Sequence, residues 1–319
     1  MAVNWLRRGV LAAACASAAL LVACGSSTIE SALKPERFVA FGDGFSDVGQ
    51  VGGARYTVND GAVNNWTQQL AATYGIALTA RSAGGSSYAQ GNARVAAKPD
   101  AAGNAATPTV VEQIDAFLAA GSFKDSDVVV VGAGTADVIA EMAAVAAGSQ
   151  TPAQMLANLQ DAGRALGAQT ERLVQAGAKH VVVTGAYNLG RSPWAAATGQ
   201  VDLLTQASSK FNEAFLVRIV NLGANVLYVD AAYYFNLLTS SPSSYAFNDA
   251  VTPVCTSVDA GNGIGIGAGQ VNSALCTPGT LLPGVSDYSK YVFADRVYAT
   301  PAAHRLFGTY AYDRLHARW

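Results

Sequence analysis

Chemistry-bearing residues gather in a few stretches of the chain. The first is Phe38-Val39-Ala40-Phe41-Gly42-Asp43-Gly44-Phe45-Ser46-Asp47, an apolar run that ends in a glycine and an acid. It reads as a strand, a tight turn and a helix start. Loops at the carboxyl end of a parallel strand hold ligands because the bent backbone presents side chains and a helix N-terminus offers free N–H groups. Gly132-Ala133-Gly134-Thr135-Ala136-Asp137 is a second candidate turn after another apolar run, and Asp295, Tyr298 and His304 lie together near the C-terminus. A hydroxyl with an imidazole and an acid to activate it is the set that attacks a carbonyl. Ser46 and His304 are available for it, against a plainer reading in which Ser46 caps a helix and His304 packs or caps on the last helix. Asp43 and Asp47 read as turn and cap acids rather than as a carboxylate pair or metal site. Trp66, Tyr88 and Trp194 either line a cleft for a sugar or acyl chain or belong to the core.

The elements that must position these residues alternate. Trp66, Leu70 and Tyr74 repeat at four-residue spacing within 61–74, which predicts a helix. A glycine-rich loop spans 84–94, a helix 109–120 with Val110, Ile114, Phe117 and Leu118 on one face, and a buried strand 127–131. Thr151 as cap and Pro152 at the first position start a helix running to Ala176, followed by a strand at 180–184. An amphipathic helix over 202–222 and a strand over 225–229 complete the series. Strands separated by helices of this length imply a parallel sheet covered on both faces.

The chain has 319 residues, 51% hydrophobic and 13% charged, which suits one large α/β domain and excludes a disordered chain. A formal net charge of −2 leaves no basic footprint for nucleic acid. The N-terminus reads as an export signal: Arg7 and Arg8 precede an apolar run from Gly9 to Ala23, too short to span a membrane comfortably. Leu21-Val22-Ala23-Cys24 resembles a bacterial lipobox, in which Cys24 becomes the lipidated first residue; the alternative is an ordinary secretory signal with Cys24 incidental. Residues 1–23 are then the signal peptide, 24–36 a lipidated tether and 37–319 the folded domain. Gly25 stands where an inner-membrane retention signal would carry Asp, which favours the outer membrane of the cell envelope. In that oxidising compartment the remaining cysteines, Cys255 and Cys276, are expected to pair, closing a loop worth about 3 kcal/mol of stability. Nothing in the residue pattern asks for a cofactor or a metal.

Six segments, in order, resemble the GDSL-type lipase/esterase family of the SGNH hydrolase superfamily. Phe41-Gly42-Asp43-Gly44-Phe45-Ser46-Asp47-Val48-Gly49 is similar to the family's opening FGDSLSDVGN, and Tyr88-Ala89-Gln90-Gly91-Asn92-Ala93-Arg94 to its YAQGGAR. The 132–137 turn resembles the third block, which ends in Asn-Asp. Asn188 to Pro193 and Tyr245 to Asn248, with the two cysteines, resemble the loops that follow, and Phe293 to His304 resembles FxDxxHPTxxxH. The resemblance implies a three-layer α/β/α, flavodoxin-like fold with a central parallel sheet and helices on both faces. It implies ester hydrolysis by a first-block serine, a last-block histidine and the aspartate three residues before it, with the oxyanion held by the serine and second-block glycine N–H groups and the third-block asparagine.

Carried over residue by residue, the nucleophile position is Gly44, the oxyanion asparagine is Ala136 and the base is Tyr298; only Gly91 and Asp295 match. Glycine has no nucleophile, alanine no side-chain donor, and a phenol is a poor base at neutral pH. Ordinary catalysis is therefore expected to be lost. The first expectation is a monomeric, membrane-anchored protein whose cleft, enlarged by Gly44 and Ala136, binds an acyl, glycan or polyester-like ligand, or which serves as an envelope interaction protein. The second is an esterase or lipase with a rearranged site built on Ser46 or His304.

Overall fold

A computed structural model describes residues 31–61 and 63–319; the expected signal peptide, Cys15 and Cys24 lie outside the described residues. The centre is a parallel sheet of β1 (Arg37–Gly42), β2 (Asp127–Gly132), β3 (His180–Thr184) and β4 (Val226–Tyr228), paired in that order. All six residues of β2 are buried, the signature of a strand covered on both faces. The register sets Gly42 opposite Gly132, so the two candidate turns leave the sheet at the same level. On the other edge of β1, the Tyr88 N–H donates to the Ala40 carbonyl and the Gln90 N–H to that of Gly42. That pairing delivers the glycine-rich loop to the same end of the sheet.

Helices α1 (Trp66–Thr73), α2 (Val110–Ala120), α3 (Thr135–Ala146), α4 (Pro152–Gln175), α5 (Pro193–Thr198), α6 (Val201–Ile219), α7 (Ala231–Ser240) and α8 (Pro301–His316) cover the sheet. They sort into two sets, α1 with α8 and α7, and α4 with α6, α3 and α2. Aromatic pairs on β1 show the two faces: Phe38 meets Tyr74 just beyond α1 at 5.9 Å, and Phe41 meets Phe117 of α2 at 5.8 Å. The fold is thus the expected α/β/α sandwich. Close approach of α4 and α6 depends on Gly163, where a Cβ would sit 2.2 Å from the Phe211 carbonyl oxygen. Thr151 caps α4 with Pro152 at its first position, as the sequence implies.

One expectation changes. Residues 43–55 are turns and bends rather than a helix, and among the described residues the first helix begins at Trp66. Asp43 takes the Phe45 N–H and Asp47 those of Gly49 and Gln50, local bonds that compete with helical ones. The helix expected over 202–222 runs from Val201 to Ile219 and tightens to a 3₁₀ turn over Val220–Leu222. Of the expected tether, residues 31–36 are described: the Ala32 N–H donates to the Trp319 carbonyl and the Glu36 N–H to that of Ser126. Cys255 and Cys276 form the expected disulfide, with Cα atoms 5.8 Å apart. Among the described residues no helix is long and apolar enough to cross a membrane.

Candidate functional site

The residues aligned with the family's blocks do meet, at the carboxyl end of β1 and β2, and buried aspartates hold them there. Asp43 accepts from the Phe45 N–H at 2.9 Å within its own turn, and from the Gly134 and Ala136 N–H groups at 3.0 and 3.2 Å at the start of α3. A carboxylate at a helix N-terminus also meets the positive end of its dipole. Asp47 reaches the Gly91 N–H at 2.8 Å, tying the first turn to the glycine-rich loop. Asp295 accepts from the Val297, Tyr298 and Ser273 N–H groups at 2.7, 2.6 and 3.0 Å. Gln113 of α2 completes the frame by bonding both the N–H and the carbonyl of Gly42 at 2.9 Å. Burial outweighs these donors and raises Asp43 to about 7 and Asp47 to about 6; it raises Asp295 as well.

Inside that frame the reacting space is filled. Tyr298 is fully buried, and a Cβ built on Gly44 would lie 2.7 Å from its Oη. The expected enlargement at Gly44 is therefore absent, because the phenol at the base position occupies the volume that a side chain at 44 would need. Tyr56, which sequence reading passed over, adds a second ring 4.9 Å from that of Tyr298. Its Oη would stand 2.0 Å from a Cβ on Gly91, so only glycine fits beneath it. The Tyr298 Oη has no hydrogen-bond partner, and burial raises its pKa well above the ordinary phenol value. Ala136 is wholly buried and offers only its backbone N–H, already given to Asp43. The Gly91 N–H, the one matching oxyanion donor outside the first block, is committed to Asp47.

The two stand-ins have other partners. Ser46 is not a helix cap: its Oγ donates to the Gly132 carbonyl at 3.0 Å and accepts from Trp66 Nε1 at 3.3 Å, a buried bridge between β2 and α1. His304 packs on α8, its ring 5.2 Å from that of Phe45. Neither imidazole nitrogen has a well-formed hydrogen bond, and burial drives its pKa down to about 3 despite weak support from the Tyr56 backbone. Ser46 and His304 are therefore not hydrogen-bonded to each other. The aromatic candidates divide: Trp66 is core, Tyr88 packs on Phe41 and Phe117, and Trp194 lines a cavity of about 590 Å³ beside α3. Among the described residues no cluster of three or more metal-ligating side chains occurs.

Comparison with known proteins agrees with the block pattern. The family model for GDSL-like Lipase/Acylhydrolase matches residues 38–311. A protein described as an uncharacterized protein in the trpE-trpG intergenic region of Pseudomonas putida is 28% identical over 160 residues, half of this chain and 25% of that one. This chain thus spans only about a quarter of that relative's length. Two crystal structures, each 15% identical, cover 89% of this chain and 98% of their own, with TM-scores of 0.44 and 0.42.

Proposed function

The chain belongs to the GDSL-like lipase/acylhydrolase family, and from that premise we propose that it keeps the scaffold while having lost Ser-His-Asp ester hydrolysis, acting as a ligand-binding protein of the cell envelope. One observation carries the reading: the Tyr298 phenol stands where a side chain at Gly44 would have to be. The nucleophile position and the base position have changed in complementary ways, one shedding a side chain and the other filling the space. A triad acts as a unit, so absence of its nucleophile and base removes nearly all of its rate, and the oxyanion donor missing at Ala136 would be worth about 3 kcal/mol more. The rearranged esterase finds less support, since Ser46 Oγ is occupied by Gly132 and Trp66 and His304 is held neutral in an aromatic core. The envelope setting rests on the lipobox-like segment ending at Cys24 and on the Cys255–Cys276 disulfide, which suits an oxidising compartment. Metabolic labelling with radioactive palmitate, lost on Cys24→Ala, tests the anchor.

The catalytic part is tested with p-nitrophenyl acetate and butyrate. The unaltered protein is expected to match buffer, with Gly44→Ser/Ala136→Asn/Tyr298→His as the comparison in which the family's groups are restored. Hydrolysis by the unaltered chain well above buffer, abolished by Ser46→Ala or His304→Ala, would overturn the reading.

A further inference from the structure

The sealed turn is not where the molecule has room. The cavity of about 590 Å³ lies along the second half of α3, between α5, the start of α6 and the loop closed by the Cys255–Cys276 disulfide. Its volume falls within the ~300–1,000 Å³ range of small-molecule sites. Met142, Val145, Trp194, Leu203 and Ile266 supply an apolar wall. Thr198, Gln200 and Asn262 add the polar groups, and no charged side chain lines it. Gly44, Gly91, Asp295 and Tyr298 are not among its walls, although the Trp194 N–H donates to the Arg296 carbonyl at 2.9 Å, so the cavity adjoins the filled catalytic position without including it. Trp194 and Met142 are nearly buried side chains of broad, adaptable surface, suited to grip a flexible aliphatic body.

Resting on the reading that the family's reaction has been lost, we infer that this cavity binds one linear aliphatic chain with an uncharged hydroxyl head group. An apolar wall without a cation favours an alkyl body over a sugar and a neutral head over a carboxylate, whose charge would lose hydration without gaining a partner. Asn262 is bonded to Ala102 and Gly267, so a neutral head is oriented by the Gln200 amide and by Thr198 Oγ1, which donates to the Trp194 carbonyl at 2.8 Å and still can accept. The loop that supplies Asn262 and Ile266 is closed at its base by the disulfide and pinned near its middle, where the Asn92 amide donates to the Gly263 carbonyl at 2.8 Å and the Asn262 amide to that of Ala102 at 3.1 Å, so part of the wall is held before a ligand arrives.

The test is titration of the purified protein with 1-octanol, 1-decanol and 1-dodecanol by calorimetry, with 12-bromo-1-dodecanol as a fluorescence quencher. Saturable binding is expected to tighten by about fourfold per added methylene until the cavity is full. The bromoalkanol should quench Trp194, and Trp194→Phe should remove that quenching while calorimetric binding persists. Ala143→Phe fills the cavity from an exposed helix position and Ile266→Asp places a charge in its wall; each should weaken binding at least tenfold with an unchanged circular dichroism spectrum. No saturable binding, equal binding by both variants, or tighter binding of dodecanoate than of 1-dodecanol would overturn the inference. Ester hydrolysis by the unaltered chain would instead overturn the non-catalytic reading and leave alkanol binding standing, so the two failures are distinguishable.

Discussion

Helix α3 passes through two regions that have been treated in opposite ways. At its first turn, Ala136 is wholly buried, its N–H held by Asp43, beside a site in which Tyr298 and Tyr56 leave no room over Gly44 and Gly91. About two turns later, Met142 and Val145 of the same helix face about 590 Å³ of open space. On the proposed reading, the contrast distinguishes replacement of the reacting groups from their simple deletion. Deleting them alone would leave a void at the turn, and voids in a close-packed interior are costly. A large ring fills the space instead, whereas Ala143, Ala146, Gly265 and Gly267 among the walls of the side cavity leave its space open.

If filling is what the tyrosine does, truncating it should have the largest effect. Tyr298→Ala is expected to cost about 3–5 kcal/mol in urea unfolding, with the cavity on the far half of α3 unaffected in its ligand binding. The disulfide is the corresponding device on the open side. Cys255→Ser/Cys276→Ser should cost about 3 kcal/mol and should weaken alkanol binding, because the freed loop carries part of the cavity wall. Next is Gly44→Ser, expected to cost about 1–3 kcal/mol by overpacking against the Tyr298 Oη. Most of that cost should vanish when Tyr298→His is added, and a double-mutant cycle without coupling would break the link between the two positions. The smallest change is Tyr298→Phe, which removes a buried phenol oxygen without a partner and should leave stability equal or raise it by about 1 kcal/mol.

The buried ionisable groups sharpen the contrast through pH. Burial raises Asp43 from 3.8 to about 7, so the native state keeps a proton that the unfolded chain releases. Its contribution is complete below about pH 4 and is lost as the pH rises through 7. His304 acts in the opposite sense: its pKa falls from 6.5 to about 3, so its contribution is complete above 6.5 and is lost as the pH falls toward 3. His304→Phe is expected to remove a one-proton decline in unfolding free energy between pH 6.5 and 3. An identical pH profile for the variant would mean that the imidazole is solvated.

Much of this was legible in the chain. The alternation of strands and helices, the cap at Thr151 and the pairing of Cys255 with Cys276 follow from local chemistry that the tertiary fold did not override. The substitutions at 44, 136 and 298 are visible because the surrounding blocks are intact. What stayed hidden is non-local. Glycine at 44 implies space until the ring of Tyr298, more than 250 positions away, is seen to occupy it. Tyr56 carries no signal, since it lies between two blocks and acts only through the absence of a Cβ on Gly91. Nor could spacing reveal that Asp43 and Asp47 would take the N–H groups that a helix after the first turn would have used for itself.

The central claim is that no serine of this chain is an activated nucleophile, and a fluorophosphonate reports that directly. Intact-mass spectrometry of the purified protein after prolonged exposure is predicted to show the unmodified mass, with Gly44→Ser/Ala136→Asn/Tyr298→His as the comparison. A stoichiometric adduct on the unaltered chain, mapped to Ser46 or to any other serine, would contradict the account.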